Sequence, residues 1–360
     1  MPTDSPLEIR IELARASRLR CVDLANRPFS SVFSDHMLVA EYRDGSWGQV
    51  GIRPYGPLSL APSVSALQYA VSVFEGMKAH RLPSGEVALF RPWENARRLN
   101  RPARRLAMPE VPESLFLQGL RRLVRLDQEW VPAADAGALY VRPCYFSVDE
   151  SVRPKPADRF LFVIFTFPFG AYFAAPVDAL VIERYVRAFP GGTGDVKPAG
   201  NYAPALLVEQ EARDAGFGTV LWLDARERRY VEECGVMNVF FVIDDGGGPR
   251  VVTPELSGTI LPGVTRDSVL TLLREMGMTV EERKLAIDEV LVAHERGALR
   301  ECFGTGTAAT LSHVRRIRYR DKDYDLPSVE TRAIGPAVRE RLVAIATGRA
   351  PDTHGWLERV

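Results

Sequence analysis

The hydrophobic pattern changes period several times along the chain, and each change predicts an element. Residues 36–42 (His-Met-Leu-Val-Ala-Glu-Tyr) read as a strand, and Gly45 supplies a hairpin-like turn behind it. Val64 to Ala79 mixes β-branched and aromatic residues and predicts strand or short helix around Phe74-Glu75-Gly76. Pro92-Trp93-Glu94-Asn95 opens a helix, with proline near its first position and an acid in its first turn. Its arginines 97, 98, 101, 104 and 105 crowd a helix expected to break near Pro102. Residues 114–126 continue helically, with Leu115, Leu120, Leu123 and Leu126 as a partly periodic apolar face. Leu139 to Phe146 and Phe160 to Phe167 are dense in β-branched and aromatic residues, as buried strands are.

Pro168 to Pro176 is the best boundary, because small residues and prolines separate two strand-like regions. Beyond it the pattern predicts a strand at 179–186, a glycine-rich loop and a helix at about 203–215 stopped by Gly216. Strands at about 218–223 and 236–243 follow, then a helix from near Thr265, a strand at Arg300–Phe303 and a closing helix at 333–346. The tail from Gly348 is polar, but Trp356 gives it a residue able to dock. The expectation is a two-domain α+β or α/β chain: a small N-terminal domain at 1–175, a linker at 176–184 and a larger domain at 185–360.

Length supports that division, since 360 residues exceed one average core. A net charge of zero argues against non-specific attraction to nucleic acid or anionic membrane. No apolar run approaches the ~20 residues of a membrane span, and the N-terminus lacks a signal peptide's apolar region. Cysteines 21, 144, 234 and 302 are widely spaced, which predicts reduced thiols in a cytoplasmic protein and no metal site.

Against this ordinary background Lys197 stands out. The chain holds five lysines against 41 arginines, and one lysine lies in the most glycine-dense stretch, Gly191 to Gly200. Arginine cannot deprotonate in a protein, whereas a desolvated lysine can act as an amine nucleophile. Three further segments carry candidate chemistry. In Val231 to Asn238, acids precede a glycine and an apolar strand; a carboxylate entering a buried strand needs a cation. Glu232 reads as a solvated strand-end acid. Gly258 to Asp267 delivers backbone N–H groups at a helix start, a seat for an anion. Phe303 to Thr310 is a run of small and hydroxyl residues able to present donors to phosphate or carboxylate.

In order along the chain, these segments resemble the branched-chain amino acid aminotransferases, pyridoxal-phosphate enzymes of fold type IV (D-amino acid aminotransferase-like). The likeness includes Phe74-Glu75-Gly76-Met77-Lys78-Ala79, Leu89-Phe90-Arg91-Pro92-Trp93, Leu139-Tyr140-Val141-Arg142-Pro143, Tyr185-Val186-Arg187-Ala188 and Ile260-Leu261-Pro262-Gly263-Val264. The resemblance implies a homodimer that exchanges an amino group between Leu, Ile or Val and 2-oxoglutarate. It implies Lys197 as the residue joined to pyridoxal 5'-phosphate, Glu233 as partner of the pyridine nitrogen and Tyr202 as partner of the phenolic oxygen. It also implies a phosphate seat of Arg98, the backbone at Val264 and Thr265, and the Thr307 hydroxyl. The amides of Thr307 and Ala308 would face the substrate carboxylate. Phe29, Tyr69, Tyr140 and Tyr172 would wall the side-chain pocket, with Arg142 near the distal carboxylate of the acidic co-substrate. The residues agree on one point: Tyr140 and Arg142 share one side of a strand.

Three departures limit the likeness. Val236 stands where some members carry threonine or glycine. Val148 to Pro154 differs from the usual loop that a partner subunit lends. Ala309 and Ser312 replace a cysteine pair, so no thiol switch is expected. Rival readings on the same scaffold are a D-amino acid aminotransferase, an aminodeoxychorismate lyase-like enzyme or a transaminase of a specialised pathway. A rival from another class is a binding protein that kept the fold without activity.

Overall fold

In the computed structural model, residues 7–25, 27–170, 172–173 and 175–360 are described, and the chain folds as two compact units. The first comprises Met1–Tyr172, Lys197–Gly200 and Ile345–Val360; the second comprises Phe173–Val196 and Asn201–Ala344. The boundary segment 168–176 contains Ala171 and Ala174, which lie outside the described residues.

The first unit contains strands β1 (Ile9–Ile11), β2 (His36–Arg43), β3 (Ser46–Pro54), β4 (Ser72–Phe74), β5 (Met77–Arg81), β6 (Val87–Phe90), β7 (Ala138–Ser147) and β8 (Phe160–Phe169). Its helices are α1 (Ser65–Tyr69), α2 (Pro92–Arg105) and α3 (Glu113–Leu126). The segment around Phe74, open between strand and helix on sequence, is a strand: β4 ends at Phe74, and α1 lies upstream of it, the turn between them passing through Ala70 at φ +52°. Helix α2 does not break at Pro102 but runs three residues past it to Arg105. Proline withdraws one N–H from the ladder, and this near the C-terminal end few intrahelical bonds remain to be lost. Leu115, Leu120 and Leu123 of α3 are buried as their spacing requires, and a Cβ at Gly119 would come 2.4 Å from Leu38 of β2. A side chain there would force the Leu38 methyl to shift.

The second unit contains β9 (Val177–Ile182), β10 (Thr219–Leu223), β11 (Val231–Cys234), β12 (Met237–Ile243), β13 (Arg250–Thr253), β14 (Thr279–Glu282), β15 (Leu299–Gly306), β16 (Thr310–Tyr319) and β17 (Lys322–Asp325). Helices α4 (Ala205–Asp214), α5 (Val264–Glu275) and α6 (Ile287–Glu295) join them, and α7 (Ile334–Ala346) starts there. Sheet order is β11-β10-β9-β16-β15-β12-β13-β14, and an added β11–β12 pairing closes the first six strands into a ring. β10 and β12 are buried at every position, which explains their unbroken apolar runs. β9 ends at Ile182, short of the expected residue 186, and Glu183 beyond it meets Arg320 at 3.1 Å. Gly216 closes α4 at φ +85°, a backbone setting that favours glycine.

The last strand, β18 (Leu357–Arg359), joins the first unit's sheet, whose order is β1-β3-β2-β8-β7-β5-β6-β18 with β4 on β7. Trp356 docks as its position suggested: it is buried, its carbonyl accepts from Arg91 N–H at 2.7 Å, and its ring meets Phe90 at 5.6 Å.

A buried acid starts α7. Glu301 of β15 accepts the N–H groups of Ala333 (3.0 Å), Ile334 (2.8 Å) and Gly335 (2.7 Å). Three donors at a helix start are thus satisfied by one carboxylate. Glu301→Ala leaves the Ile334 and Gly335 donors buried and unmet, while the exposed Ala333 can turn to water, so unfolding free energy should fall by about 2 kcal/mol or more at roughly 1–3 kcal/mol per buried donor. Denaturant titration of the variant beside the parent measures it.

Candidate active site

In the first unit the Lys197 amine lies 4.6 Å from the centroid of the Phe74 ring. Backbone holds the segment there: Phe74 N–H donates to the Lys197 carbonyl at 3.3 Å, and Pro198 bridges to Val73. Next to Phe74 is Glu75, fully buried and clamped by Arg98 through Nε at 2.6 Å and Nη2 at 2.9 Å. Glu75 also accepts from Asn95 Nδ2 at 2.8 Å and Gly76 N–H at 3.0 Å. Burial opposes its ionisation, but the charges of Arg98 and Lys197 and the bonds from Arg98 and Asn95 hold its carboxyl below the usual range. Sequence alone gives Glu75 no role: it lies in Phe74–Ala79, where nothing local marks its arginine partner.

The predicted wall residues Phe29, Tyr140 and Tyr172 come together. Phe29 meets Tyr140 at 5.0 Å and Tyr172 at 5.2 Å, both edge-on, and Tyr140 stacks on Phe167 at 5.0 Å. Gly76 is required here, since a Cβ would stand 1.9 Å from the Tyr140 hydroxyl. Arg142 lies over Phe74 at 4.7 Å and Tyr140 at 5.4 Å, and its buried Nε has no hydrogen-bond partner among the described residues. A buried guanidinium N–H without an acceptor suits an anionic ligand. Tyr69 is more exposed, at 42%, and its hydroxyl donates to the Val152 carbonyl in the divergent 148–154 loop.

In the second unit Glu233 is buried on β11. Its Oε1 accepts the Leu261 N–H at 2.8 Å and pairs with Arg187 Nη2 at 3.2 Å. Glu232 is not a solvated strand-end acid: it is 5% exposed. The closing strand pairings bury both faces of β11, so both acids go inside. Burial raises the Glu232 carboxyl above its ordinary range, against the Thr259 hydroxyl bond and the Arg187 charge.

Val264 and Thr265 begin α5, whose N-cap, Gly263, gives no side-chain cap. Asn238 Nδ2 holds the Leu261 carbonyl at 2.9 Å, and a Cβ on Gly263 would lie 2.2 Å from Asn238 Oδ1. This close turn leaves the helix start without a side-chain cap, a fit for phosphate. The run Phe303–Thr310 is not one loop: β15 takes it to Gly306, β16 resumes at Thr310, and Thr307 and Ala308 sit in the turn. Tyr202 follows Asn201, whose Nδ2 donates to the carbonyls of Thr193 (2.7 Å) and Val196 (3.1 Å) and closes the glycine loop. Val236, at the β11–β12 turn, is 50% exposed.

Taken unit by unit, the donors are of a kind that suits a phosphorylated aldehyde cofactor: an amine on an aromatic face in the first unit, and a buried acid and an uncapped helix start in the second. Comparison with known proteins agrees. Residues 72–317 match the family described as amino-transferase class IV. The chain is 44% identical, over 92% of both chains, to the branched-chain-amino-acid aminotransferase of Mycobacterium tuberculosis. It is 43% identical to that of Mycolicibacterium smegmatis, covering 94% of this chain and 93% of the relative. Among solved structures, the branched-chain amino acid aminotransferase of Escherichia coli superposes with a TM-score of 0.73 at 26% identity, covering 90% of this chain and 98% of that one. The fold is also shared with the branched-chain amino acid aminotransferase of Thermobaculum terrenum in its PLP form, with a TM-score of 0.71 at 24% identity, covering 89% and 97%. The chain belongs to the class IV aminotransferases, in the family of the branched-chain-amino-acid aminotransferases.

Proposed function

We propose that the protein is a pyridoxal-phosphate transaminase that passes the amino group of Leu, Ile or Val to 2-oxoglutarate, giving the branched-chain 2-oxo acid and L-glutamate. One observation carries the reading: in a chain of this family, the Lys197 amine rests on Phe74 beside the buried Glu75–Arg98 pair. Bound pyridoxal phosphate supplies an electron-accepting ring for the charge left when the substrate Cα loses its proton. Lys197 Nζ would hold the cofactor and would carry the proton from the substrate Cα. The Glu233 carboxylate keeps the pyridine nitrogen protonated, and the Tyr202 hydroxyl bonds the phenolic oxygen. Arg98, aligned by Glu75, joins the backbone of Val264 and Thr265 and the Thr307 hydroxyl in holding phosphate.

The Thr307 and Ala308 amides receive the substrate carboxylate. Phe29, Tyr69, Tyr140 and Tyr172 enclose an aliphatic side chain, and Arg142 answers the distal carboxylate when glutamate enters. The enzyme acts as a cytoplasmic homodimer in this reading, consistent with four free thiols. Among the described residues no helix is long and apolar enough to cross a membrane.

A panel of amino donors with 2-oxoglutarate, read by glutamate formed, tests the assignment. One methylene in an apolar pocket is worth about 1–3 kcal/mol, so leucine, isoleucine and valine should agree in kcat/KM within about 200-fold. Aromatic or D-amino donors outpacing leucine would overturn it.

A further inference from the structure

The second unit contains a guanidinium that the reaction has not yet used. Arg187 Nη2 donates to the Gly194 carbonyl at 2.9 Å and to the Thr259 carbonyl, and it lies 3.2 Å from Glu233 Oε1. A single nitrogen thus gathers three segments: the glycine loop before Lys197, the acid on β11, and the turn that leads to α5. The side chain is 11% exposed, and its Nε is buried with no hydrogen-bond partner among the described residues. Gly194 makes the approach possible, because a Cβ there would fall 2.4 Å from both the Ala188 methyl and the Thr259 carbonyl oxygen. Thr259 is itself anchored, its hydroxyl donating to Glu232 and meeting Ser257 at 2.8 Å.

Two neighbouring buried acids therefore share this arginine. They are not equivalent. Glu233 has the direct ion pair and a backbone N–H, whereas Glu232 has the Thr259 hydroxyl on Oε1 and no hydrogen-bond partner on its buried Oε2. Burial raises the Glu232 carboxyl above its ordinary range, and the direct ion pair of Arg187 is with Glu233.

We propose that Arg187 is a positioning residue: it fixes the Glu233 carboxylate for its pairing with the pyridine nitrogen and ties the loop entering Lys197 to the same point. This inference rests on the cofactor assignment above. Lysine would keep the charge but not the planar fork, so it substitutes only in part.

The test uses purified full-length parent, Arg187→Met, Arg187→Lys and the exposed control Arg320→Met, each saturated with pyridoxal phosphate. Four readings are taken: kcat and KM for leucine, the pH midpoint of the visible absorbance band, the cofactor Kd, and the melting temperature of the cofactor-free protein. A displacement near 1 Å can cost about 10²-fold in rate, so Arg187→Met should lose about 10²-fold in kcat with little change in KM. Its band midpoint should move from the parent's and its cofactor Kd should rise, with Arg187→Lys between the two and Arg320→Met like the parent. A parent-like band midpoint in Arg187→Met overturns the proposal, whether kcat is kept or is lost together with cofactor-free melting temperature. If Arg187→Met does not fold, an Arg187→Lys protein with the parent's midpoint and kcat overturns it equally. A parent that never binds the cofactor would instead sink the functional reading itself.

Discussion

Replacing Lys197 by alanine should reduce transamination by about 10⁴-fold or more, the upper range for losing a positioned acid–base group alone. The amine has two duties in the proposed cycle: it holds the cofactor, and it carries the substrate's Cα proton. Neither Glu75 nor Arg98 beside it can inherit them. Glu75 is locked by Arg98 and Asn95, and an arginine cannot give up its proton. Folding should survive, because Lys197 is only half-buried and its segment is fixed through backbone bonds to Phe74 and Val73. Stopped-flow turnover of leucine with the cofactor in excess measures the loss, and circular dichroism checks the fold. A variant that keeps even a hundredth of parental turnover would remove Lys197 from the chemistry.

The second large effect belongs to Glu233. Glu233→Gln keeps the shape and an acceptor for the Leu261 N–H but removes the charge proposed to hold a proton on the pyridine nitrogen. Removing one preorganised electrostatic partner typically costs about 10²–10³-fold in kcat, and that is the expected loss here. It also strips Arg187 of its ion pair, and breaking a buried pair can cost about 3–5 kcal/mol, so the melting temperature should drop as well. The two effects separate experimentally. Rate is read well below the melting transition, and the variant's cofactor band should titrate differently from the parent's. Parental kcat in a folded Glu233→Gln protein would exclude this acid from the ring nitrogen.

Much of the architecture was legible because burial writes itself into periodicity. β10 and β12 are buried on both faces and read as unbroken apolar runs, while α3 shows its leucines at helical spacing. Short strands such as β1, β17 and β18 left no such trace, since three or four residues are too few to set a period. Pro102 misled for a local reason: its cost depends on how much helix follows, and only three residues do. Glu232 misled for a tertiary one, the ring closure that covers both faces of β11.

Lys197 could be singled out from composition and context, whereas Glu233 was marked by the family resemblance. Their supports could not be singled out. Glu75 meets an arginine 23 residues away on another element, and Arg187 draws together carbonyls and a carboxylate from three separate segments. Nothing in the local pattern of either residue announces its partners. Only the family motifs, read as ordered blocks, marked the stretches that contain them.

The claim beneath all of this is that the ε-nitrogen of residue 197 joins the cofactor. Purified protein saturated with pyridoxal phosphate can be reduced with borohydride, digested and mapped by mass spectrometry. The account predicts a phosphopyridoxyl group fixed on Lys197. Recovery of that group on another lysine, or of unmodified Lys197 after complete reduction, would contradict it.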